Sequence, residues 1–357
     1  MKKLFIFIIF SALFAPEMLA CTGIMLRTQN GHPITARTIE WANEPLNMMY
    51  VVVPRGHKHK SILPDGTTKG LRYQAQYGYV GIAISDELFI MEGLNEQGLS
   101  AGLFYFPDYG EYPSYDESKK DVTLSDMQFV SWVLASFATI DEVIANLPTV
   151  RIVNIDPRAS TTHWRITEAS GRQIVIEIIG QKINIHENPL GVLTNSPSFD
   201  WHLTNLNNYV NLKAGSVLQR GIGKLSLKAF GGGSGLHGLP GDMTPTSRFV
   251  RAAFLQTTAP IFESSEQTVI QAFHILNNFD IPIGIQYGDP DLVPNMHSAT
   301  QVTIATDLIN RRIYFRTMYN SHIRCLNLKT IDFEKIKYQS EFLEISTTEP
   351  IQFIEFY

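Results

Sequence analysis

The sequence predicts an α+β fold built as one domain, and three observations lead there. Extended apolar stretches come in adjacent pairs joined by Gly- or Asn-rich turns. Helical patterns are grouped between those pairs instead of alternating with them. No internal repeat or low-complexity linker divides the 357 residues. A chain that is 44% hydrophobic and 18% charged buries a large core and has the composition of neither a disordered nor a multi-span membrane protein. Net charge is −5 and Lys and Arg form no block, which argues against nucleic acid as a partner.

Residues 1–20 open with Lys2 and Lys3, continue as an apolar run interrupted only by Ser11, and close on Pro16-Glu17-Met18-Leu19-Ala20. This is the pattern of a secretory signal peptide cut after Ala20, although Met18 is bulkier than the usual small residue at its place. The run falls short of the about 20 apolar residues a spanning helix needs, and no other run approaches that length. The expectation is export to the periplasm or the medium, with a single working domain of residues 21–357 that begins with Cys21. A rival reading makes Cys21 the lipid acceptor of a lipid-anchored, catalytically inactive binding protein. The large Leu19 and the apolar strand that follows Cys21 directly, in place of a Ser/Gly linker, speak against it.

From Cys21 the chain reads as a strand, a polar turn at Asn30-Gly31, and a returning strand to Trp41. Alternation points Arg37 and Ile39 one way and Thr38 and Glu40 the other, so Arg37 and Glu40 share a face only if the strand ends or bulges near Trp41. Further strands are expected at 49–54, 79–85, 89–92 and 100–106, the last two joined by a turn around Asn95. A helix is expected over 123–137 with Ser125 as cap, and another from Thr139 with Glu142 completing a capping box. Strands at 163–166 and 173–179 form a hairpin. A strand ends at Leu193-Thr194-Asn195-Ser196-Pro197, and a helix follows over 201–212. The glycine-rich stretch 231–241 is an irregular loop that delivers the chain to a helix opening at Thr244-Pro245. A helix over 265–277 and a hairpin of 301–306 with 312–318 complete the pattern.

A chain starting at Cys21 carries a thiol and an α-amine on one residue, with reference pKa values of about 8.5 and 7.7–8.0, matched for proton exchange near neutrality. A nearby guanidinium favours the thiolate, and attack on an amide needs donors aimed at the developing oxyanion. Cys325 is expected as a buried small hydrophobe in a strand. No HExxH or CxxC spacing marks a metal site, and the Gly231–Gly241 loop lacks the Lys-Ser/Thr of a phosphate cradle.

Six motifs then stand in order: Cys21-Thr22-Gly23; Ala36-Arg37-Thr38-x-Glu40-Trp41; Gly93-Leu94-Asn95-Glu96-x-Gly98-Leu99; Leu193-Thr194-Asn195-Ser196-Pro197; Leu239-Pro240-Gly241-Asp242-x-Thr244-Pro245-x-Ser247-Arg248-Phe249; and His274-Ile275-Leu276-Asn277-Asn278. Together they resemble the choloylglycine hydrolase family, the bile-salt hydrolases and penicillin V acylases. The resemblance implies a four-layer αββα sandwich of the N-terminal-nucleophile hydrolase type and a hydrolase of linear, non-peptide amides that needs no cofactor. It implies Cys21 as nucleophile with its α-amine as base, Arg37 beside the sulfur, Asn195 donating to the oxyanion, and Arg248 holding the charged groups together. Two positions depart from the family pattern. Glu40 stands where an aspartate is common, keeping the charge on a longer arm. Phe104-Tyr105-Phe106-Pro107 is one residue longer than the usual Asn-Phe-Pro, which moves the second oxyanion contact to Tyr105 or to a backbone N–H. The implied partner is a small amide with an apolar acyl group, such as a conjugated bile salt, penicillin V or an N-acyl homoserine lactone. Residues 48–50 and 104–106 are expected to line its acyl pocket. The resemblance also implies a homo-oligomer, a tetramer.

Plainer readings stand beside these. Arg37 and Glu40 would be exposed strand charges, Asn195 an ordinary turn residue, and Tyr105 packing. Asn95 reads as structural in its turn. His163 and His202 are the alternative source of a Cys–His pair, and more readily satisfied core residues.

Overall fold

The computed structural model describes residues 20–155, 160–285 and 296–356; the segment expected as a signal peptide, up to Leu19, lies outside them. Counting the strands of the two large sheets in chain order, β1 is Ala20–Arg27, β2 Pro33–Glu40, β3 Met48–Val53, β4 Tyr79–Ile84, β5 Ile90–Asn95 and β6 Ser100–Tyr105. Next come β7 Thr162–Thr167, β8 Gln173–Ile179, β9 Lys182–Glu187, β10 Thr300–Asp307, β11 Arg312–Thr317, β12 Asn320–Asn327 and β13 Gln339–Phe342. The helices are α1 Phe129–Ser136, α2 Ile140–Asn146, α3 Phe199–Asn205, α4 Pro245–Thr257 and α5 Ser265–Leu276. One sheet has the order β1-β2-β10-β11-β12 and the other β9-β8-β7-β6-β5-β4-β3-β13.

The two sheets lie face to face and each carries helices on its outer side. Ile39, Val302, Ile304 and Phe315 of the first sheet share a core with Leu94, Leu103 and Ile166 of the second. On the outer side of the first sheet, Ile24, Ile34, Ala36 and Ala305 pack under Phe249 and Ala252 of α4 and Phe273 and Leu276 of α5. Leu134 of α1 covers the second sheet so closely that a Cβ on Gly93 would stand 2.5 Å from it. The layers are therefore helix, sheet, sheet, helix, and the α+β sandwich expected from the sequence is the observed one.

The hairpin that begins the domain forms as its alternation dictates. Gly31 takes φ +79° at the turn, a conformation that favours glycine, and the register pairs Cys21 with Ile39 and Gly23 with Arg37. At Thr139 the cap forms as read, its hydroxyl accepting from Glu142 N, while Glu142 Oε2 accepts from Ala138 N, one residue before the cap, in place of the Thr139 N–H of a strict capping box.

Other expectations are corrected. The helix placed over 123–137 begins only at Phe129, because Thr123–Ser125 pairs in parallel with Arg151–Val153 and Ser125 Oγ caps nothing. The helix placed over 201–212 starts at Phe199 and passes into a 3-10 turn at Leu206–Tyr209. Exposed strands Gln219–Ile222 and Leu225–Lys228 precede the glycine-rich loop, and β12 and β13 went unread. Cys325 does lie in a strand, but β12 is an edge strand and the residue is exposed. Residues 49–50 and 104–105 lie in strands as read, but the pocket expected at them is not one open space. Phe104 and Phe106 are wholly buried, so they pack the interior instead of lining an open pocket. Met49 borders a cavity of about 460 Å³ with Ser85–Leu88 and Ser340–Phe342, three strands away from β6 in the sheet.

Candidate active site

Cys21 and Arg37 sit two residues out of register across the β1–β2 ladder, a diagonal that a long side chain spans. Both point into the space between the sheets, where Arg37 Nη2 lies 2.9 Å from Cys21 Sγ. Arg37 is anchored from the second sheet. Its Nη1 donates to the carbonyls of Leu103 at 2.6 Å and Met91 at 3.3 Å, and its guanidinium lies 3.8 Å over the Phe104 ring. Gly23 has to be glycine, since a Cβ there would stand 2.9 Å from Phe104 Cζ and 2.9 Å from Arg165 Nη1.

The opposite face of the hairpin looks toward the helices, and there Arg248 reaches in from the fourth residue of α4. Its Nη1 donates to Cys21 O at 2.5 Å and to Thr22 Oγ1 at 2.9 Å, its Nη2 to Asn195 Oδ1 at 2.7 Å. A cation near a helix N-terminus opposes the dipole; three acceptors around the first residues of β1 account for its place. Glu40 is on this same face, as alternation requires, with Thr300 Oγ1 donating to its Oε1 at 3.3 Å. Its Oε2 is buried and has no hydrogen-bond partner among the described residues. Burial pushes the Glu40 carboxyl up to about 7 against the pull of Arg248. The bulge near Trp41 on which a common face depended exists, but on the neighbouring β10 between Thr300 and Val302. Arg37 and Glu40 therefore flank Cys21 from opposite sides of the sheet.

Asn195 arrives from a third direction. Gly23 and Leu193 exchange both backbone hydrogen bonds, at 2.7 and 3.1 Å, which seats the 193–195 segment against the free edge of β1. Asn195 Oδ1 accepts from Cys21 N at 2.9 Å and Nδ2 donates to Tyr105 O at 2.8 Å. That donation uses one of the two N–H groups of the amide. Two histidines hold the segment from behind: His163 Nε2 donates to Thr194 O at 3.1 Å and His202 Nε2 to Asn195 O at 2.8 Å. His163 Nδ1 faces Glu177 Oε1 at 3.1 Å, so both of its ring nitrogens meet acceptors.

Tyr105 touches the sulfur through its main chain: its backbone N–H hydrogen-bonds Cys21 and favours the thiolate. The sequence left open the side chain or a backbone N–H at 105 as the oxyanion contact; the contact at the sulfur is a separate one, made by the backbone. Burial pushes the Cys21 thiol up, while Arg37 and Arg248 pull it down. The exposed-charge reading of Arg37 and Glu40 fails, because both are buried to within 1%. Asn95 is structural as read, its side chain bonding Gln97 N, Leu99 N and the carbonyls of Leu134 and Phe137. Glu92 and Arg165, which no motif singled out, stand with Phe104 directly behind Arg37. The available signal was a charge within an apolar strand run, Ile-Met-Glu-Gly-Leu and Trp-Arg-Ile. Moving each such ion out of water costs several kcal/mol, so apolar residues would serve packing better and the charges point to chemistry. Among the described residues, no group of three or more His, Cys, Asp and Glu side chains is arranged to hold a metal ion.

The arrangement joins a buried thiol, two guanidiniums, a carboxylate without a full set of partners and amide donors from two directions, a set suited to acyl transfer at an amide. The family of linear amide C–N hydrolases known as choloylglycine hydrolases matches residues 21–346. The bile salt hydrolase/transferase of Clostridium perfringens is 36% identical over 326 residues, covering 89% of this chain and 95% of that one. The penicillin V acylase of Pectobacterium atrosepticum is 28% identical, covering 88% and 82%. A solved structure of a conjugated bile acid hydrolase variant from Clostridium perfringens superposes with a TM-score of 0.79 at 30% identity, over 94% of this chain and all of that one. The chain belongs to the choloylglycine hydrolase family. It is an amidohydrolase acting on linear amides.

Proposed function

We propose that this enzyme cleaves the amide of a small molecule with an apolar acyl group through a thioester on Cys21, conjugated bile salts being the first substrate class to expect. The contact of Arg37 Nη2 with Cys21 Sγ at 2.9 Å, inside a site that also turns the Tyr105 N–H on the sulfur, carries the reading. In the described chain Cys21 N is a peptide nitrogen bonded to Ala20. Cleavage of that bond supplies the α-amine that the chemistry needs, directly opposite Glu40, whose register partner is Ala20. The unpartnered Glu40 Oε2 is the natural acceptor for the new ammonium or amine.

The steps follow from the positions. The α-amine takes the thiol proton, and the thiolate attacks the amide carbon. The oxyanion is met by Asn195 and the 105 backbone. The tetrahedral adduct collapses with loss of the C–N bond as the ammonium returns its proton to the leaving nitrogen. Water, deprotonated by the same amine, then releases the acid from the thioester. Ala20 and Cys21 are 2% and 1% exposed, so the bond between them is out of reach of a peptidase once the domain has folded. Cutting during export, before folding, accommodates this, and makes the product an exported enzyme. The same burial disfavours a lipid on Sγ, for which the space beside Arg37 has no room.

The test is a panel of glyco- and tauro-conjugated bile salts, penicillin V and N-acyl homoserine lactones on the processed protein and its Cys21→Ser variant. Hydrolysis of at least one compound, with acid-quenched acyl adduct on Cys21 and a loss of at least ~10³-fold in the variant, is expected. Undiminished turnover by Cys21→Ser removes Cys21 from the chemistry, and a diacylglyceryl mass on the N-terminal peptide replaces the reading by the lipid-anchored one.

A further inference from the structure

Behind Arg37, away from the sulfur, lies a second buried ion cluster. Glu92 of β5 and Arg165 of β7 are each 1% exposed and joined through Arg165 Nη2 and Glu92 Oε1 at 2.9 Å. Glu92 Oε2 turns to Arg37 Nη1 at 3.5 Å, and Ser100 Oγ donates to Glu92 Oε1 at 3.3 Å. Arg165 Nη1 reaches across to Ala36 O in β2 at 3.4 Å, next to Arg37. The Phe104 ring stands between the guanidiniums, 3.8 Å from Arg37 Cζ and 5.3 Å from Arg165 Cζ. Room for the carboxylate is made by Gly102, where a Cβ would fall 2.1 Å from Glu92 Oε2, and room for Arg165 by Gly23.

The charges in this inter-sheet space do not cancel. Arg37 and Arg165 face a single carboxylate, Glu92, which leaves one positive charge for Cys21 to neutralise as thiolate. The other groups facing Cys21 come from the opposite side of the sheet: Arg248 of α4, which draws the thiol down, Glu40 of β2, which pushes it up, and in the processed chain the α-amine itself; none of them is altered in the variants below. Glu92 also sets the direction of Arg37. Its pull and the Leu103 and Met91 carbonyls all engage Nη1, which leaves Nη2 for the sulfur.

We infer that Glu92 and Arg165 are positioning residues of this hydrolase, which aim Nη2 of Arg37 at Cys21 Sγ and leave the inter-sheet space with one positive charge in excess until the thiol ionises. The inference rests on the reading of Cys21 as nucleophile. Removing Glu92 raises the excess charge near the sulfur and loosens Arg37; removing Arg165 cancels the excess and turns Glu92 fully onto Arg37. The two substitutions therefore move the thiol in opposite directions, which loss of packing would not do.

The experiment reads the pH midpoint for iodoacetamide alkylation of Cys21 in the processed protein, followed by mass spectrometry so that exposed Cys325 is counted separately. Glu92→Gln is expected to lower the midpoint and Arg165→Met to raise it, each with kcat down about 10- to 100-fold and KM changed less than about threefold. The double variant, which removes one charge of each sign and keeps the net charge of the core, carries the test if a single variant does not fold. It keeps the midpoint of the parent while kcat stays depressed. Midpoints that do not move, or that move together, overturn the inference, as does a double variant with the kcat of the parent. Alkylation is read on the thiol itself, so failure of Glu92 and Arg165 to act is distinguishable from failure of Cys21, which Cys21→Ser reports through turnover.

Discussion

Glu40 shows how much one side chain's surroundings decide. Its extra methylene, relative to the aspartate common in the family, carries the carboxylate to Thr300 Oγ1 while leaving Oε2 bare. In the chain that still carries Ala20, this carboxyl sits at about 7, above its ordinary 4.5, because burial opposes ionisation. The unfolded chain gives up this proton at lower pH than the folded one. The contribution of Glu40 to stability is thus complete below pH 4.5 and is lost as pH rises through 7. Glu40→Gln in the unprocessed chain should remove that part of the decline, which thermal unfolding at pH 5 and pH 8 measures. In the processed enzyme the same substitution should lower kcat about 100-fold with little change in KM, because the α-amine loses its partner. Equal losses in kcat and in unfolding temperature would make Glu40 structural.

At the scale of elements, the segment from Leu193 to Asn195 depends on what grips it. It belongs to neither large sheet, yet Gly23 holds Leu193, and His163 and His202 hold the next two carbonyls. His202 is also stacked on Phe249 of α4, 4.6 Å between centroids, so one ring ties the segment to the helix that supplies Arg248. Burial lowers the His202 imidazole from 6.5 to about 4. Here the sign is opposite to that of Glu40: the stabilisation is complete above pH 6.5 and is lost as pH falls toward 4, on the order of 3 kcal/mol. A His202→Gln variant should show a flatter dependence of unfolding temperature on pH between 6.5 and 4. Its kcat should fall more than its stability at pH 7.5, because Asn195 loses a support. An unchanged pH dependence would show that His202 does not titrate on unfolding.

For the whole molecule, the decisive question is when the chain is cut relative to when it folds. Ala20 continues β1 and packs with Ala42, Ile281 and Ala299, so an uncut chain folds with its first peptide nitrogen already used. A chain made without residues 1–20 and trimmed to Cys21 should turn over substrate. The full chain, kept uncut, should fold and fail to turn over. Intact mass and activity on the same samples check this, and turnover by a chain shown to retain Ala20 would end the proposal that the α-amine is the base.

Much of this was legible beforehand, and the reason differs by residue. Cys21, Arg37 and Glu40 lie on one hairpin, so a local pattern of alternation and an Asn-Gly turn placed them relative to one another. The same local logic gave the Thr139 cap and the helix opening at Pro245. The helix expected from Thr123 failed because a long-range strand pairing with Arg151–Val153 outcompeted a local propensity. Cys325 and the residues at 104–106 were misjudged because burial depends on which sheet edge or face a strand takes, and strand order is not written in any one strand. Sequence by itself determined the alternation, the turns and the set of reactive groups, since these follow from neighbours along the chain. Only the tertiary structure decided that Glu92 and Arg165 stand behind Arg37 and that a backbone N–H at 105 faces the sulfur. Glu92 meets Arg37 from 55 residues away across the two packed sheets and Arg165 from 73 residues away within its own sheet, and strand order and sheet packing, not neighbours along the chain, create such contacts.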